Sequence, residues 1–514
     1  MKSEIKKTAS QPQQSLTKMA GIIAIGRFIS LFIAVLLPLL LVRIFDQEEF
    51  GLYKQIFLIA DTIPPLLGFS LGKNVFYFFP RKQDMKKTIV INILFIYLLI
   101  GIAILVVFIF YPEAINLLFK SQAIAGFLLW IGIYVTITLL ASFFEDVIIA
   151  NGEIMLSSVV VVLTTVSRAI FLIAAVLILQ DLYSLMFAAI IFSILRLTAF
   201  LIYLSKRFRG FSYTINNKLL KEQLLYTLPF GIAAFIWHLS RNMHFFFITS
   251  FYTPKMFAIY SVGAFQIPFL YVINYSVGNI MIAEMSKLQA KGEIDEVKTI
   301  FMNAIRKISL LYLPLFFFLL IIREEFIITL FTEQYLDSVP FFTVNLLSIL
   351  LLIPFVNPVF RAFSEYRYYR LKVSLLGLFI LPLILYLFFK IMGAIGVVWG
   401  NIAVNLITQI ILLLKCFNIL LFSSSEIISL CYRIGKISLT SAIASLSILF
   451  FKHLTTLQTP FYILSISTII YAIVYTSLIY YFNLITTEEK QKIKDIIFHS
   501  WKEYGYRKWV KHFG

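Results

Sequence analysis

The sequence has little charge, almost no cysteine and no recognisable nucleotide-binding motif. Only 14% of its 514 residues are Asp, Glu, Lys or Arg, whereas 60% are hydrophobic, so polar side chains cannot cover a soluble globule of this size. Cys416 and Cys431 are its two cysteines, and we expect neither a disulfide framework nor a zinc site from them. Because no G-x-x-x-x-G-K-[ST] segment is present, we expect no cofactor and leave the driving force and any coupling ion open.

Long apolar segments without period-two alternation occupy most of the chain. Unpaired backbone amides are costly in hydrocarbon, so such segments cross a bilayer as helices. The sequence therefore predicts an all-α polytopic membrane protein with about 14 transmembrane helices. The predicted spans are residues 19–42, 51–72, 88–111, 124–148, 155–179, 183–204, 224–250, 257–283, 303–322, 339–360, 371–391, 394–419, 431–451 and 460–484.

Basic residues collect in alternate connections between these spans. The net charge of +18 would suggest nucleic acid as a partner of a soluble protein, but here it marks the cytoplasmic loops of a membrane protein. This distribution places both termini in the cytoplasm and argues against a nucleic-acid partner. One predicted cytoplasmic loop departs from this pattern, because it carries Glu145, Asp146 and Glu153 but no Lys or Arg.

A short motif occurs twice in the chain. Glu49-Phe-Gly-Leu-Tyr53 has its counterpart in Met256-Phe-Ala-Ile-Tyr260, 207 residues later. Six spans separate the copies, so the two halves would have the same orientation and be related by an axis along the membrane normal. That arrangement is typical of transporters with a substrate path between two lobes.

Longer motifs resemble those of a known transporter family. Arg43-Ile-Phe-Asp-Gln-Glu-Glu-Phe-Gly-Leu-Tyr looks like the signature after the first helix in polysaccharide flippases of the multidrug/oligosaccharidyl-lipid/polysaccharide exporter superfamily. Leu228-Pro-Phe-Gly is similar to the opening of that family's second lobe. Thr329-Leu-Phe-Thr-Glu-Gln-Tyr-Leu and Gly393-Ala-Ile-Gly-Val resemble stretches that these flippases carry at the same places. The resemblance extends from about residue 15 to residue 420.

The resemblance implies two six-helix bundles around a central cavity, with two extra C-terminal helices that could guide a polyprenyl tail. It also implies a flippase that moves a polyprenyl-diphosphate-linked oligosaccharide from the inner to the outer leaflet of a bacterial plasma membrane. The expected partners are that glycan, membrane lipids and a glycan polymerase or other assembly proteins, and we expect a monomer. The expected divisions are a cytoplasmic tail at 1–18, an N-lobe at 19–205, a cytoplasmic linker at 206–223, a C-lobe at 224–420, helices 13 and 14 at 431–484, and a basic amphipathic tail at 485–514. This last tail would either lie on the inner leaflet or be an ordinary solvated helix or disordered segment, and the sequence leaves both interpretations open.

Charged residues inside predicted spans are the candidate binding residues, because charge at mid-bilayer is costly. Arg27, Arg168, Arg196 and Arg241 are the arginines in question, and Asp61 is the acidic counterpart. Arg27 corresponds through the repeat to Ala234, seven residues or about two turns before Arg241. Both arginines would thus occupy equivalent faces at different depths and bind a diphosphate in succession.

Each candidate also has a structural interpretation. Arg168 or Arg196 could pair with Asp61 inside the first bundle, and Arg27 could extend to the cytoplasmic interface. His238 and His244 flank Arg241 at three-residue spacing and would bind a sugar or phosphate, or pack as ordinary membrane histidines. Asp61 is the candidate for ion coupling, and an arginine partner would hold it ionised and remove that role.

Two other functions compete with the flippase. A cation-coupled multidrug exporter of the same superfamily would share the twelve core helices, but that class places a carboxylate in helix 1, where this chain has Arg27. A membrane glycan polymerase or ligase would place catalytic residues in a large outer loop, and every predicted outer loop is short. The sequence does not identify the glycan, and it does not distinguish a peptidoglycan precursor from a surface polysaccharide.

Overall fold

The described part of the chain is helical. The computed structural model describes residues 32–33, 35–116, 119–208, 215–487 and 489–491, and within them there is no strand. The helices are α1 (Val35–Ile44), α2 (Gln47–Leu67), α3 (Val75–Arg81), α4 (Lys86–Phe110), α5 (Pro112–Asn116), α6 (Leu128–Ala141), α7 (Phe144–Ala150), α8 (Ile154–Leu179), α9 (Leu182–Arg207), α10 (Asn217–Phe251), α11 (Pro254–Gly263), α12 (Pro268–Ala290), α13 (Ile294–Ile321), α14 (Arg323–Phe331), α15 (Val339–Asn345), α16 (Leu347–Leu351), α17 (Asn357–Ala362), α18 (Arg367–Met392), α19 (Ala394–Ile419), α20 (Ser424–Leu454) and α21 (Pro460–Tyr481).

The predicted all-α polytopic membrane fold is confirmed. Twelve spans in the described residues are long and apolar enough to cross a bilayer, and the pair α11 and α12, bent by 51°, would make thirteen. Most of the first predicted span lies outside the described residues, which include its outer end as α1. The count of fourteen is therefore not confirmed.

The internal repeat extends to the N-caps of two helices. Asp46 caps α2 with a capping box that includes Glu49, and Thr253 caps α11 by accepting a hydrogen bond from the Met256 N–H. Both caps have extended backbone, with ψ of 175° and 163°. They lie 207 residues apart, the same interval as the motif itself. The repeat thus includes the helix start signals as well as the apolar residues that follow.

The described residues fall into two compact units. The first is bounded by Met1–Lys287, Leu330–Asn345 and Val356–Cys416, and the second by Leu288–Thr329, Leu346–Phe355 and Phe417–Gly514. In the first unit, Phe79, Ile93, Val147 and Phe200 are fully buried in a core formed by α3, α4, α7 and α9. The lobe boundaries expected from the resemblance stay a prediction.

The second unit joins α13 to α20 and α21. Pro314 lies inside α13 and has no N–H, so the carbonyl four residues earlier, at Leu310, loses its helical donor. The Tyr475 hydroxyl donates a hydrogen bond to that carbonyl at 2.8 Å, and the Tyr471 hydroxyl donates to the Pro314 carbonyl at 2.9 Å. Tyrosines of α21 therefore satisfy the backbone at the proline, as unpaired polar groups in a membrane helix require.

Candidate functional site

An ion pair lies well inside two membrane-spanning helices of the first unit. Asp61 of α2 and Arg168 of α8 each lie 14 residues from the start of their helix, or about 21 Å along its axis. An Arg168 Nη atom lies 3.2 Å from one Asp61 carboxylate oxygen and 3.4 Å from the other, and the Tyr134 hydroxyl donates to the same carboxylate at 3.3 Å. The two charged side chains are 37% and 50% exposed. Protein therefore covers neither side chain completely.

A lysine on the same helix face was missed by the sequence analysis. Lys54 precedes Asp61 by seven residues, or about two turns, so the two side chains lie on the same face of α2. Lys54 also lines a cavity of about 210 Å³ whose other walls are mostly apolar, including Phe50, Phe265 and Phe331. The signal was present in the sequence as a lysine inside the apolar run of α2.

Arg241 is an exposed cation inside a membrane-spanning helix of the first unit. It lies in α10, ten residues before Phe251 at the end of that helix, or about 15 Å from it. Its guanidinium donates to the side-chain oxygen of Gln266 at 2.7 Å and lies 5.2 Å from the Trp237 ring centroid. Among the described residues it has no carboxylate within 4 Å. Its partners are neutral, so its charge is available to an anion.

The two histidines next to Arg241 have different surroundings. His244 is buried, and its Nδ1 forms a 2.7 Å hydrogen bond with the hydroxyl of the fully buried Tyr260 of α11. His238 is half-buried, and its backbone carbonyl accepts a hydrogen bond from Asn242. The structure thus places His244 in the contact between α10 and α11 and leaves part of His238 exposed.

Arg196 pairs with Glu145, not with Asp61. Its Nη2 lies 2.9 Å and 2.8 Å from the two carboxylate oxygens of Glu145, and the two side chains are only 21% and 19% exposed. Arg207, the last residue of α9, pairs with Glu153, and its Nη2 lies 2.9 Å from a carboxylate oxygen. Both acidic residues belong to the loop that lacked Lys and Arg in the sequence. The arginines of α9 therefore neutralise two of the three carboxylates of that loop.

Arg27, the remaining candidate, lies outside the described residues. Within those residues, no three His, Cys, Asp or Glu side chains are close enough together to hold a metal ion.

Two of the four motifs that carry the family resemblance, those that begin at Arg43 and Thr329, meet at one junction. Arg43 donates to the Leu330 carbonyl at 3.0 Å, and the Gln47 side chain donates to the carbonyl of Gln334. The rings of the fully buried Phe50 and Tyr335 make an edge contact with centroids 5.8 Å apart. Sequences far apart in the chain therefore form one contact at the predicted external side of the first unit, which we call the external junction.

Two glycines of the four motifs permit close backbone approach. A Cβ atom at Gly51 would lie 1.8 Å from the carbonyl oxygen of Pro254, and one at Gly231 would lie 2.6 Å from the Phe69 carbonyl oxygen. Phe69 itself has φ of 45° and belongs to the left-handed turn that ends α2. Glycine is required at both places because any side chain would overlap backbone atoms.

Comparisons with known proteins agree with this fold. A family model described as "Polysaccharide biosynthesis protein" matches residues 40–340, more than half of the chain. A search among curated protein sequences found no match.

Solved structures show the same architecture at low sequence identity. The lipid II flippase MurJ, in an inward closed conformation, is 17% identical with a TM-score of 0.67, covering 90% of this chain and 99% of MurJ. A mutant of the Vibrio cholerae MATE transporter VcmN is 15% identical with a TM-score of 0.54, covering 80% and 97%. A MOP superfamily transporter from Pyrococcus furiosus, described as having a binding pocket of reverse polarity, is 13% identical with a TM-score of 0.52, covering 80% of this chain and 96% of the transporter. At these identities the likeness establishes a common fold.

Proposed function

Since this chain belongs to the polysaccharide biosynthesis protein family, we propose that it is a flippase for a polyprenyl-diphosphate-linked oligosaccharide, the repeat unit of a surface polysaccharide. It moves this lipid from the inner to the outer leaflet of the bacterial plasma membrane, and both of its termini face the cytoplasm. The lipid II flippase MurJ has the same fold, which supports a cargo of this chemical class. A glycan polymerase is the partner expected to receive the product.

The observation that carries the proposal is the state of Arg241. An exposed arginine inside a span is costly in a membrane, and the contacts of Arg241 with Gln266 and Trp237 leave its positive charge uncompensated. A guanidinium binds phosphate oxygens through paired hydrogen bonds and stays charged at any relevant pH. Arg241 is thus suited to bind the diphosphate as it crosses.

Arg168 and Lys54 supply further positive charge on the proposed route. The Asp61 carboxylate occupies Arg168, so an arriving diphosphate would compete with Asp61 for this arginine. Such an exchange binds the anion without leaving a bare charge in the membrane before it arrives or after it leaves. Arg196 is held by Glu145, so we assign it a role in maintaining the fold.

The proposal is tested by replacing Arg241 and measuring transport in cells. With Arg241→Gln we expect surface glycan to fall and the lipid-linked intermediate to accumulate, because losing a charge-assisted contact weakens binding about 10- to 100-fold. Arg241→Lys should retain more transport than Arg241→Gln, since it keeps the charge without the planar fork. Lys390→Gln, which removes an exposed cation in the last turn of α18, is the control and should transport normally. Undiminished surface glycan in a variant with both Arg27→Ala and Arg241→Ala would refute the anion route.

A cation-coupled exporter is the second candidate, favoured by one observation. Asp61 is an exposed carboxylate inside a span, and the Vibrio cholerae MATE transporter has the same fold. The pairing of Asp61 with Arg168 opposes cation binding, because the arginine occupies the carboxylate. Uptake of an organic cation into vesicles under a sodium or proton gradient would favour the exporter over the flippase.

A further inference from the structure

Basic residues gather where α17, α18 and α19 meet at the predicted cytoplasmic side. Arg361 lies in the last turn of α17, Arg367 and Arg370 lie in the first turn of α18, and Lys415 lies near the end of α19. Arg361 is exposed and Arg370 half-buried. We refer to Arg361, Arg370 and Lys415 as the α17–α19 basic cluster. The proposed transport route does not use it, since these residues lie at helix ends and not in the middle of spans.

The contacts of the α17–α19 basic cluster are with neutral groups. Arg370 donates to the side-chain oxygen of Asn357, and Arg361 is close enough for the two positive charges to repel. The Lys415 ammonium lies 4.9 Å from the Tyr366 ring centroid and 5.5 Å from that of Tyr369. The ion pairs among the described residues include none of the three basic side chains.

Stability of the fold gives no reason for this arrangement. Positive side chains in the first turn of a helix are unfavourable, because the helix N-terminus is itself positive, and like charges in proximity repel. The first turn of α18 contains no acidic residue that would compensate them. A negative ligand would remove both costs.

The position of the cluster indicates where that ligand comes from. The candidate span of α18 begins at Tyr368, and Tyr368 is 61% exposed. Tyrosines and arginines together at the end of a span are typical of the membrane interface, at the level of lipid phosphates. Basic sites between helices on the cytoplasmic side are known to bind anionic lipid headgroups.

We propose that the α17–α19 basic cluster binds the headgroup phosphate of an anionic phospholipid of the adjoining leaflet. Arg361 and Arg370 pair with phosphate oxygens, Lys415 adds a third positive charge, and the tyrosines pack against the glycerol and upper acyl chain. This site is separate from Arg241 and Arg168, and it does not depend on the proposed function.

Lipid retention by the purified full-length protein tests this proposal. The protein is reconstituted with phosphatidylcholine and phosphatidylglycerol, extracted in detergent, and its retained lipids are measured by mass spectrometry. We expect the wild type to retain phosphatidylglycerol in preference to phosphatidylcholine. The variant Arg361→Gln/Arg370→Gln/Lys415→Gln should lose this retention by at least about 10-fold, because each basic residue near the surface contributes to anionic-lipid binding.

A matched variant separates a specific site from general surface charge. Lys218→Gln/Lys221→Gln/Lys287→Gln removes the same charge from exposed residues on the same predicted side and should retain phosphatidylglycerol like the wild type. The single variant Arg361→Gln, at an exposed position, should lose part of the retention even if the triple variant fails to fold. Equal loss in both triple variants, or no preference for phosphatidylglycerol in the wild type, would overturn the proposal. Displacement of the lipid by inorganic pyrophosphate, but not by sulfate, would identify a soluble diphosphate as the ligand and also overturn it.

Discussion

Gly51 of α2 approaches the backbone of Pro254 at the start of α11 so closely that a Cβ atom on Gly51 would lie 1.8 Å from the Pro254 carbonyl oxygen. The two residues follow the repeated N-caps Asp46 and Thr253. Repeat-related helices therefore contact each other directly at the external junction. Under the proposed alternating access, a cargo that leaves on this side would have to separate α2 from α11.

A larger residue at this contact should prevent closure of the external junction. We expect Gly51→Val to insert into the membrane but to disfavour the closed conformation by about 1–3 kcal/mol, or about 5- to 150-fold, and to reduce transport accordingly. The measurement is disulfide formation between Gln47→Cys and Gln334→Cys in a Cys431→Ser background. The yield should be high without the Gly51 substitution and low with it.

Gly435 of α20 provides the matched control. A Cβ atom there meets nothing within 4 Å, so Gly435→Val should transport normally. If Gly51→Val cross-links and transports as well as Gly435→Val does, the contact is not part of a closing junction.

Replacing Asp61 should strengthen binding of the anion and slow its release. Asp61→Asn keeps the size of the side chain and removes its charge, so Arg168 loses its competing carboxylate. We expect more lipid-linked intermediate to copurify with Asp61→Asn and less surface glycan to appear. The exchanged pair Asp61→Arg/Arg168→Asp should recover part of the transport. Transport by Asp61→Asn at the wild-type level would show that the pair has no part in the cycle.

The sequence predicted the membrane fold and the repeat because lipid imposes long apolar runs, and the family resemblance is confirmed by the family match. It could not decide the partners of Arg168 and Arg196. Pairing depends on how α8 and α9 rotate against α2 and α7, and the apolar periodicity of a span does not specify that rotation. The seven-residue spacing of Lys54 from Asp61 is a signal of the sequence, but periodicity alone does not show that Lys54 lines a cavity. The assignment of Arg241 and the histidines to the cargo stays a prediction.

The pair of Arg196 and Glu145 should matter for stability. Removing one partner of a largely buried pair leaves an uncompensated charge, so Arg196→Met should destabilise the protein by about 3–5 kcal/mol. The neutral double variant Arg196→Met/Glu145→Gln should recover most of this loss. Thermal unfolding of the purified proteins followed by tryptophan fluorescence measures both effects. A double variant as unstable as Arg196→Met would contradict the assignment.

The connection after α21 should open at low pH. Arg306 of α13 donates to Glu489 at 2.5 Å and to the Leu484 carbonyl at 3.1 Å. Burial raises the pKa of Glu489, but its hydrogen bonds with Arg306 and the Thr486 N–H outweigh this and lower the pKa to about 2. Because the pKa of Glu489 is lowered in the folded protein, its ion pair contributes its full stabilisation above the ordinary pKa of 4.5. This stabilisation is lost as the pH falls from 4.5 through about 2.

Hydrogen exchange of residues 482–487 measures this opening. Exchange, corrected for its intrinsic pH dependence, should increase between pH 4.5 and pH 2 in the wild type. In Glu489→Gln it should be fast already at neutral pH and show no such rise. Equal protection in the two proteins at neutral pH would mean that Arg306 and Glu489 do not hold this segment.

The pairing of Glu145 and Glu153 with arginines of α9 has a consequence for how the chain enters the membrane. The partners Arg196 and Arg207 follow their acids by 51 and 54 residues, so a ribosome delivers the two carboxylates well before the arginines that neutralise them. While α8 is being inserted, its leading loop carries an unbalanced negative charge. The orientation of α8 must then be set by the basic loops that are already in place. The charge of its leading loop is balanced only when α9 inserts and brings Arg196 and Arg207.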